Sequence, residues 1–375
     1  MLGIYVHIPF CVKKCPYCDF VSFEDKNPED YICALKKEIE FYGKEEGQII
    51  DTIFFGGGTP TSIDAGYIAD IMVALREFFD ISENCEITIE ANPGTVDRAS
   101  LCEYISCGVN RISFGLQSAD DDELKTLGRI HSFADFKNSY NLAKGAGFDN
   151  INIDLMFGLP NQTKEAFVKS LDMVSSFDPK HISCYSLKLE ENTPYYKRYY
   201  DSDKFADEDV ERDMYHYASK KLKENGYIHY ETSNFSKEGG ECKHNLKYWT
   251  GESYIGFGVS AHSYVAKDKG SYRYSNTDDF DKYIESVEKG IMPINDKTQL
   301  SEKDMIDEYI MLHLRLNTGI SFSDFNKKFK MDFSKVYKKQ IEKLNKNKMI
   351  TVDSEGIYPT LFGFDLQNTM ITMFL

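Results

Sequence analysis

The sequence predicts an α/β fold: a partial (βα)6 barrel with extra C-terminal β/α elements and a small winged-helix-like C-terminal domain. Six short apolar runs, rich in β-branched and aromatic residues, alternate with longer stretches of helical period. The runs are almost continuously apolar, as parallel strands covered on both faces must be, and their spacing leaves room for crossover helices. A length of 375 residues suits one such unit with an appendage.

The expected strands are GIYVHI at 3–8, TIFF at 52–55, EITIE at 86–90, RISFG at 111–115, INIDLMF at 151–157 and HISCYSL at 181–187. Helical period places helices over 29–46, 64–79, 97–106, 132–145 and 163–175. After about residue 190 the alternation gives way to the Tyr-rich TPYYKRYY, an acidic helix over 207–224 and a Gly-rich aromatic segment over 226–275. That part is expected to close one side of the barrel. From about 297 the period is helical again, with Met305, Ile306, Tyr309, Ile310 and His313 on one face, and the β-like MITVDSEGIYPT follows near the end. The boundaries are therefore 1–190 for the barrel, 191–296 for the extension and 297–375 for the C-terminal domain.

A formal charge of −16 argues against a general nucleic-acid binder, because phosphate backbones need clustered cations. Residues 327–348 are the exception, with nine lysines against two acids. They read as a solvated helix face or as a contact for an anionic membrane surface or acidic partner. No run of about 18 apolar residues occurs, and the start lacks a secretory pattern, so a cytoplasmic location is expected. Nine cysteines, mostly scattered singly, fit reduced thiols better than a disulfide framework. Cys33, Cys85, Cys102, Cys107 and Cys184 read as small core residues.

HIPFCVKKCPYCDF sets Cys11, Cys15 and Cys18 at C-x3-C-x2-C just after the first strand, where α/β proteins gather ligands. Three thiolates can hold three irons of a cubane and leave the fourth open to chelate an amine and a carboxylate. Two alternatives stand beside this: His7 completing a zinc site, or Cys15 and Cys18 forming a redox pair. The second strand ends in Gly56-Gly57-Gly58-Thr59-Pro60, whose glycines suit close backbone approach to a ligand.

The cysteine spacing, with Tyr17 just before the last cysteine, resembles the signature of radical S-adenosylmethionine (SAM) proteins, and GGGTP is similar to their glycine-rich segment. The resemblance implies a radical SAM barrel holding a [4Fe-4S] cluster on the three cysteines, with SAM beside it. Within that family the chain resembles the oxygen-independent coproporphyrinogen dehydrogenases and their relatives, over nearly its whole length, through FGLPNQT at 157–163, YSLKLEENTP at 185–194 and LRLNTGI at 314–320. The cofactor contacts this implies are Tyr5, Tyr17, Phe20, Gly57, Gly58, Thr59, Glu90, Gln117, Arg129 and Asp154. Their chemistry is apt, since carboxylates accept from ribose hydroxyls and Arg pairs with a carboxylate.

Two departures point away from coproporphyrinogen decarboxylation. Phe20 stands where the dehydrogenases usually carry a fourth cysteine, and the chain starts at the first strand, where they usually have an extension. Conversely, His244-Asn245-Leu246-Lys247-Tyr248-Trp249, with the only Trp in the chain, resembles the HNxxYW motif of the heme-chaperone branch. That resemblance implies heme bound near His244, with Tyr248 and Trp249 against the macrocycle. GFGVSAHSY at 256–264 extends the match, although Val259 and Ser260 replace smaller residues, and makes His262 a secondary candidate. The implied function is binding heme and delivering it to acceptor hemoproteins such as respiratory enzymes, in a chain able to form homodimers. The alternative is a radical enzyme acting on coproporphyrinogen, so whether the chain is an enzyme stays open at this point.

Overall fold

All six apolar runs form strands that lie side by side in parallel. In the computed structural model, which describes residues 1–43, 49–267 and 270–375, they are β1 (Leu2–Ile8), β2 (Ile49–Gly57), β3 (Asp80–Ala91), β4 (Arg111–Gln117), β5 (Asn150–Phe157) and β6 (His181–Ser186). The crossovers carry α1 (Pro28–Gly43), α2 (Ala65–Phe78), α3 (Arg98–Ser106), α4 (Asp121–Thr126), α5 (Phe133–Ala146) and α6 (Lys164–Ser175). The helix expected over 29–46 is described as far as Gly43; positions 44–46 lie outside the described residues. Local chemistry sets the helix ends. In α5, Ser132 and Asp135 form a reciprocal capping box, and Gly147, at φ 115°, closes the other end.

The next segment contains α7 (Pro194–Tyr199), α8 (Glu208–Glu224), β7 (Ile228–Glu231), β8 (Asn234–Ser236), α9 (Lys243–Thr250), β9 (Tyr254–Phe257), β10 (His262–Val265), β11 (Tyr272–Asn276), α10 (Phe280–Glu288) and β12 (Ile294–Gln299). Instead of closing one side, it lengthens the sheet at both ends, giving the order β12-β11-β10-β9-β1-β2-β3-β4-β5-β6-β8-β7. The reason is pairing: β9 joins the free edge of β1 in parallel, and β8 joins the free edge of β6 antiparallel.

The C-terminal residues form α11 (Glu302–His313), β13 (Ile320–Ser321), α12 (Phe322–Phe329), α13 (Phe333–Val336), α14 (Lys338–Lys346), β14 (Ile350–Val352), β15 (Gly356–Pro359), α15 (Leu361–Asp365) and α16 (Gln367–Thr372). Strands β13, β15 and β14 make a small antiparallel sheet. Ile306 and Ile310 of α11, with Phe325, Phe333 and Leu344, bury a second core distinct from the one under the long sheet. The two parts are tied by an Arg212–Asp365 ion pair at 2.7 Å and by backbone bonds from Thr232 N to Arg315 O and from Asn317 N to Tyr230 O, each 3.0 Å. The nine lysines between 327 and 348 are all exposed.

Two cysteine expectations fail. Cys85, Cys107 and Cys184 are buried, but Cys33 and Cys102 are exposed. In α1 the buried face runs through Tyr31, Leu35, Glu38 and Ile39, and in α3 through Leu101 and Tyr104, so helical period turns Cys33 and Cys102 away from the core. No helix among the described residues is long and apolar enough to cross a membrane.

Candidate functional site

The cysteine loop leaves β1 and is held in place by its own backbone. Cys11 N donates to Phe23 O at 3.0 Å, Phe23 N to Pro9 O at 2.7 Å, and Cys18 N to Cys15 O at 3.0 Å. Cys11, Cys15 and Cys18 are partly exposed and line one cavity of about 160 Å³. The same cavity is lined by Tyr17, Phe20, Gly57, Gly58, Thr59, Glu90, Gln117, Arg129 and Asp154, so residues from the ends of β2, β3 and β4 and from the middle of β5 meet the loop. Phe20 is itself 65% exposed and sits at the mouth. Tyr5 is adjacent, with its hydroxyl 3.1 Å from His7 Nδ1.

Glycine is required here by the protein's own packing as well as by any ligand. Gly57 adopts φ 107°, and a Cβ on it would lie 2.5 Å from the His7 ring. A Cβ on Gly58 would lie 2.6 Å from Phe10 O. Gln117 has φ 73°, a left-handed conformation that a side-chain-bearing residue rarely adopts, and Tyr185 holds it through a 2.9 Å bond from its hydroxyl to Gln117 Oε1.

Burial, and next the charge of Asp154, push the Glu90 carboxyl up to about 8. Asp154 is also raised by burial, although Asn152 Nδ2 donates to it at 2.7 Å. Two neighbouring carboxyls that resist ionising together suit a cationic ligand, and SAM carries a sulfonium and an ammonium. Arg129 Nη1 donates to Asn92 Oδ1 at 2.8 Å, but its Nε is buried without a partner, a donor left for an anionic group. Sequence reasoning missed Asn92, Ser113 and Tyr185, which also line the cavity. Asn92 follows β3 directly, so the strand-end rule that selected Glu90 could have found it.

The donor set fits an iron–sulfur cluster better than a zinc ion. A cubane spreads three thiolates over three irons, so they need not converge on one atom. His7 is not free to complete a zinc set: Nε2 lies 2.8 Å from Val21 O, Nδ1 faces Tyr5, and burial lowers its pKa to about 4.

The second constellation lies on α9. His244, at 0% exposure, stacks on Phe54 with ring centroids 5.4 Å apart. Its Nδ1 is 2.9 Å from Thr52 Oγ1 and its Nε2 is 2.9 Å from the Tyr248 hydroxyl. Burial, then the charges of Lys247 and Arg111, lower its pKa to about 3, so the imidazole is neutral. Gly3 permits this packing, since a Cβ there would meet Thr52 and Lys247 at 2.9 Å. Trp249 faces the C-terminal unit, with the Arg315 guanidinium 5.5 Å from its ring and its Nε1 unpartnered. His262 is exposed on β10, opposite Ser275 of β11, and is not gathered into this contact set.

Residues 5–174 match the Radical SAM superfamily, and residues 300–366 match the HemN C-terminal domain. The heme chaperone HemW of Haemophilus influenzae is 36% identical, covering 100% of this chain and 98% of its own length. That of Bacillus subtilis is 34% identical, covering 100% and 99%. The solved coproporphyrinogen III oxidase (HemN) of Escherichia coli, a radical SAM enzyme, superposes with a TM-score of 0.86, covering 100% of this chain and 89% of its own; at 24% identity it speaks to the fold. With full-length relatives above 30% identity and this α/β fold, the chain belongs to the heme chaperone HemW family of the radical SAM superfamily.

Proposed function

We propose that this protein is a heme chaperone that binds heme through His244 and delivers it to acceptor hemoproteins, respiratory enzymes among them. The observation that carries the reading is the full-length identity to heme chaperones. The imidazole on α9 is neutral, as an iron ligand must be, but it is buried and has to be uncovered before it meets heme.

The roles of the residues follow from their contacts. Cys11, Cys15 and Cys18 would hold the [4Fe-4S] cluster, with SAM against Gly57, Gly58, Thr59, Glu90, Gln117, Arg129 and Asp154. When bound, this pair supplies an open iron and a sulfonium that such clusters can cleave. Glu90 and Asp154 balance cationic charge, Arg129 offers its free Nε to a carboxylate, and Tyr17 packs beneath the guanidinium at 6.0 Å. At His244, ligation of heme iron through Nε2 requires the Tyr248 hydroxyl to give way, while Thr52 keeps Nδ1 engaged and fixes the ring's orientation. Thr52 is therefore a positioning residue, and Tyr248 is left to pack on the macrocycle, whereas Trp249, expected there too, lies against Arg315 of the C-terminal unit. His262, exposed on β10, is a secondary ligand candidate.

The test uses anaerobically reconstituted protein loaded with hemin and mixed with an apo-hemoprotein. Heme appearing in the acceptor, with coproporphyrinogen unchanged when SAM is added, is the expected result. Decarboxylated porphyrinogen formed at enzyme-like rates would overturn it in favour of the dehydrogenase.

A further inference from the structure

Away from the cysteine loop, a cavity of about 950 Å³ lies where the adjoining ends of β10 and β11 meet the C-terminal unit. Pockets that hold organic molecules fall between roughly 300 and 1,000 Å³, so the volume suits a large ligand. Its floor is apolar: Tyr264 of β10, Leu300, Met305 of α11 and Phe329 at the end of α12. Tyr264, Leu300 and Phe329 are buried, which makes them walls fixed by the fold.

Cations edge that floor. Lys327, Lys328 and Lys330 come from the end of α12 and Lys267 from the end of β10, against the carboxylates of Glu302 and Asp324. Among the described residues none of these lysines is in an ion pair with a carboxylate. Lys328 Nζ instead lies 5.3 Å from the Tyr309 ring centre and 5.8 Å from that of Phe329, and desolvation holds its ammonium below the ordinary lysine range. In a chain of net charge −16, an apolar floor edged by unpaired lysines selects a ligand that is both apolar and anionic.

The cavity also connects to the histidine. His244 and Tyr248 have ring centroids 5.1 Å apart, Tyr248 and Tyr254 4.6 Å, and Tyr254 and Tyr264 6.5 Å, so a continuous line of rings runs from the imidazole to the cavity wall. At the other end of α9, Lys328 Nζ lies 3.9 Å from where a Cβ on the cap residue Gly251 would stand. The helix that carries His244 thus abuts the cavity's basic edge.

We propose that this cavity is a loading site for an iron porphyrin, its lysines pairing with the two propionates and its floor receiving the macrocycle before His244 is engaged. The proposal rests on the heme-chaperone reading above.

Titration of the full-length protein with hemin and with hemin dimethyl ester, whose propionates are masked, tests it. Lys327→Glu combined with Lys328→Glu is expected to weaken hemin binding by about tenfold or more while leaving ester binding unchanged. The Soret band of the saturated complex should keep its wild-type position, because His244 is intact. Lys328→Gln, a milder change on an exposed helix face, should weaken hemin in the same direction, and unchanged melting temperatures confirm folding. Hemin affinity within about twofold of wild type in the double variant, or ester bound as tightly as hemin by wild type, overturns the loading site. If His244→Ala abolishes hemin binding and the lysine variants do not affect it, the loading site falls and the chaperone reading stands. If wild type binds no hemin, both fall.

Discussion

His244 and Tyr248 lie one turn apart on α9, with the imidazole Nε2 2.9 Å from the tyrosine hydroxyl. On the proposed role of His244 as a heme ligand, Nε2 would reach iron only after this hydroxyl gives way. Tyr248→Phe keeps the ring and removes only the hydroxyl. Since a hydrogen bond of this kind contributes about 1 kcal/mol, hemin affinity should rise by roughly fivefold in a spectral titration. A loss of affinity would show that the hydroxyl supports heme instead of competing with it.

Gly57→Ala should destabilise the protein by about 1–3 kcal/mol in chemical denaturation, because the new Cβ meets both a left-handed backbone and the His7 ring 2.5 Å away. A neutral effect would mean that His7 relaxes freely, and the glycine would then owe its place to a ligand alone.

Replacing Cys11, Cys15 or Cys18 singly with Ala should abolish iron and sulfide incorporation on reconstitution. Cys33→Ala, exposed on α1, should leave both unchanged. Full cluster content after loss of any one of the three would remove it from the ligand set.

How far the sequence was legible follows from what each signal encodes. The six parallel strands were readable because burial on both faces imposes unbroken apolar runs, as in β4, where all seven residues are buried. The cysteine loop was readable because its spacing is local. The pairing of β9 with β1 was not, since a four-residue strand in a Gly-rich aromatic stretch carries no mark of its partner more than 240 residues away. Nor was the burial of His244, since only Gly3, Thr52 and Phe54, from two other strands, make the socket that encloses it. Cys33 and Cys102 failed because residue type outweighed helical phase in assigning them to the core.

The neighbouring carboxyls of Glu90 on β3 and Asp154 on β5 impose a pH dependence. Burial and Asp154 raise the Glu90 pKa from 4.5 to about 8 in the folded protein. The folded state therefore holds this proton more tightly than the unfolded chain. The stability it contributes is full below about 4.5 and is lost as pH rises through about 8. Ligand-free protein should melt at lower temperature as pH climbs through that window, and Glu90→Gln, which is always neutral, should flatten the slope. An unchanged slope in the variant would assign the dependence to other groups.

If His244 binds heme iron as proposed, the visible spectrum of the hemin complex carries the direct sign of it. Wild type should retain hemin through gel filtration with the Soret position of an imidazole-ligated iron. His244→Ala should lose that signature; because it empties a buried site and leaves the Thr52 and Tyr248 hydroxyls without their partner, it should also melt several degrees lower, and retained cooperative melting above the assay temperature shows that the loss is local. An identical spectrum and retention in the two proteins would contradict the account, because the iron would then be held elsewhere.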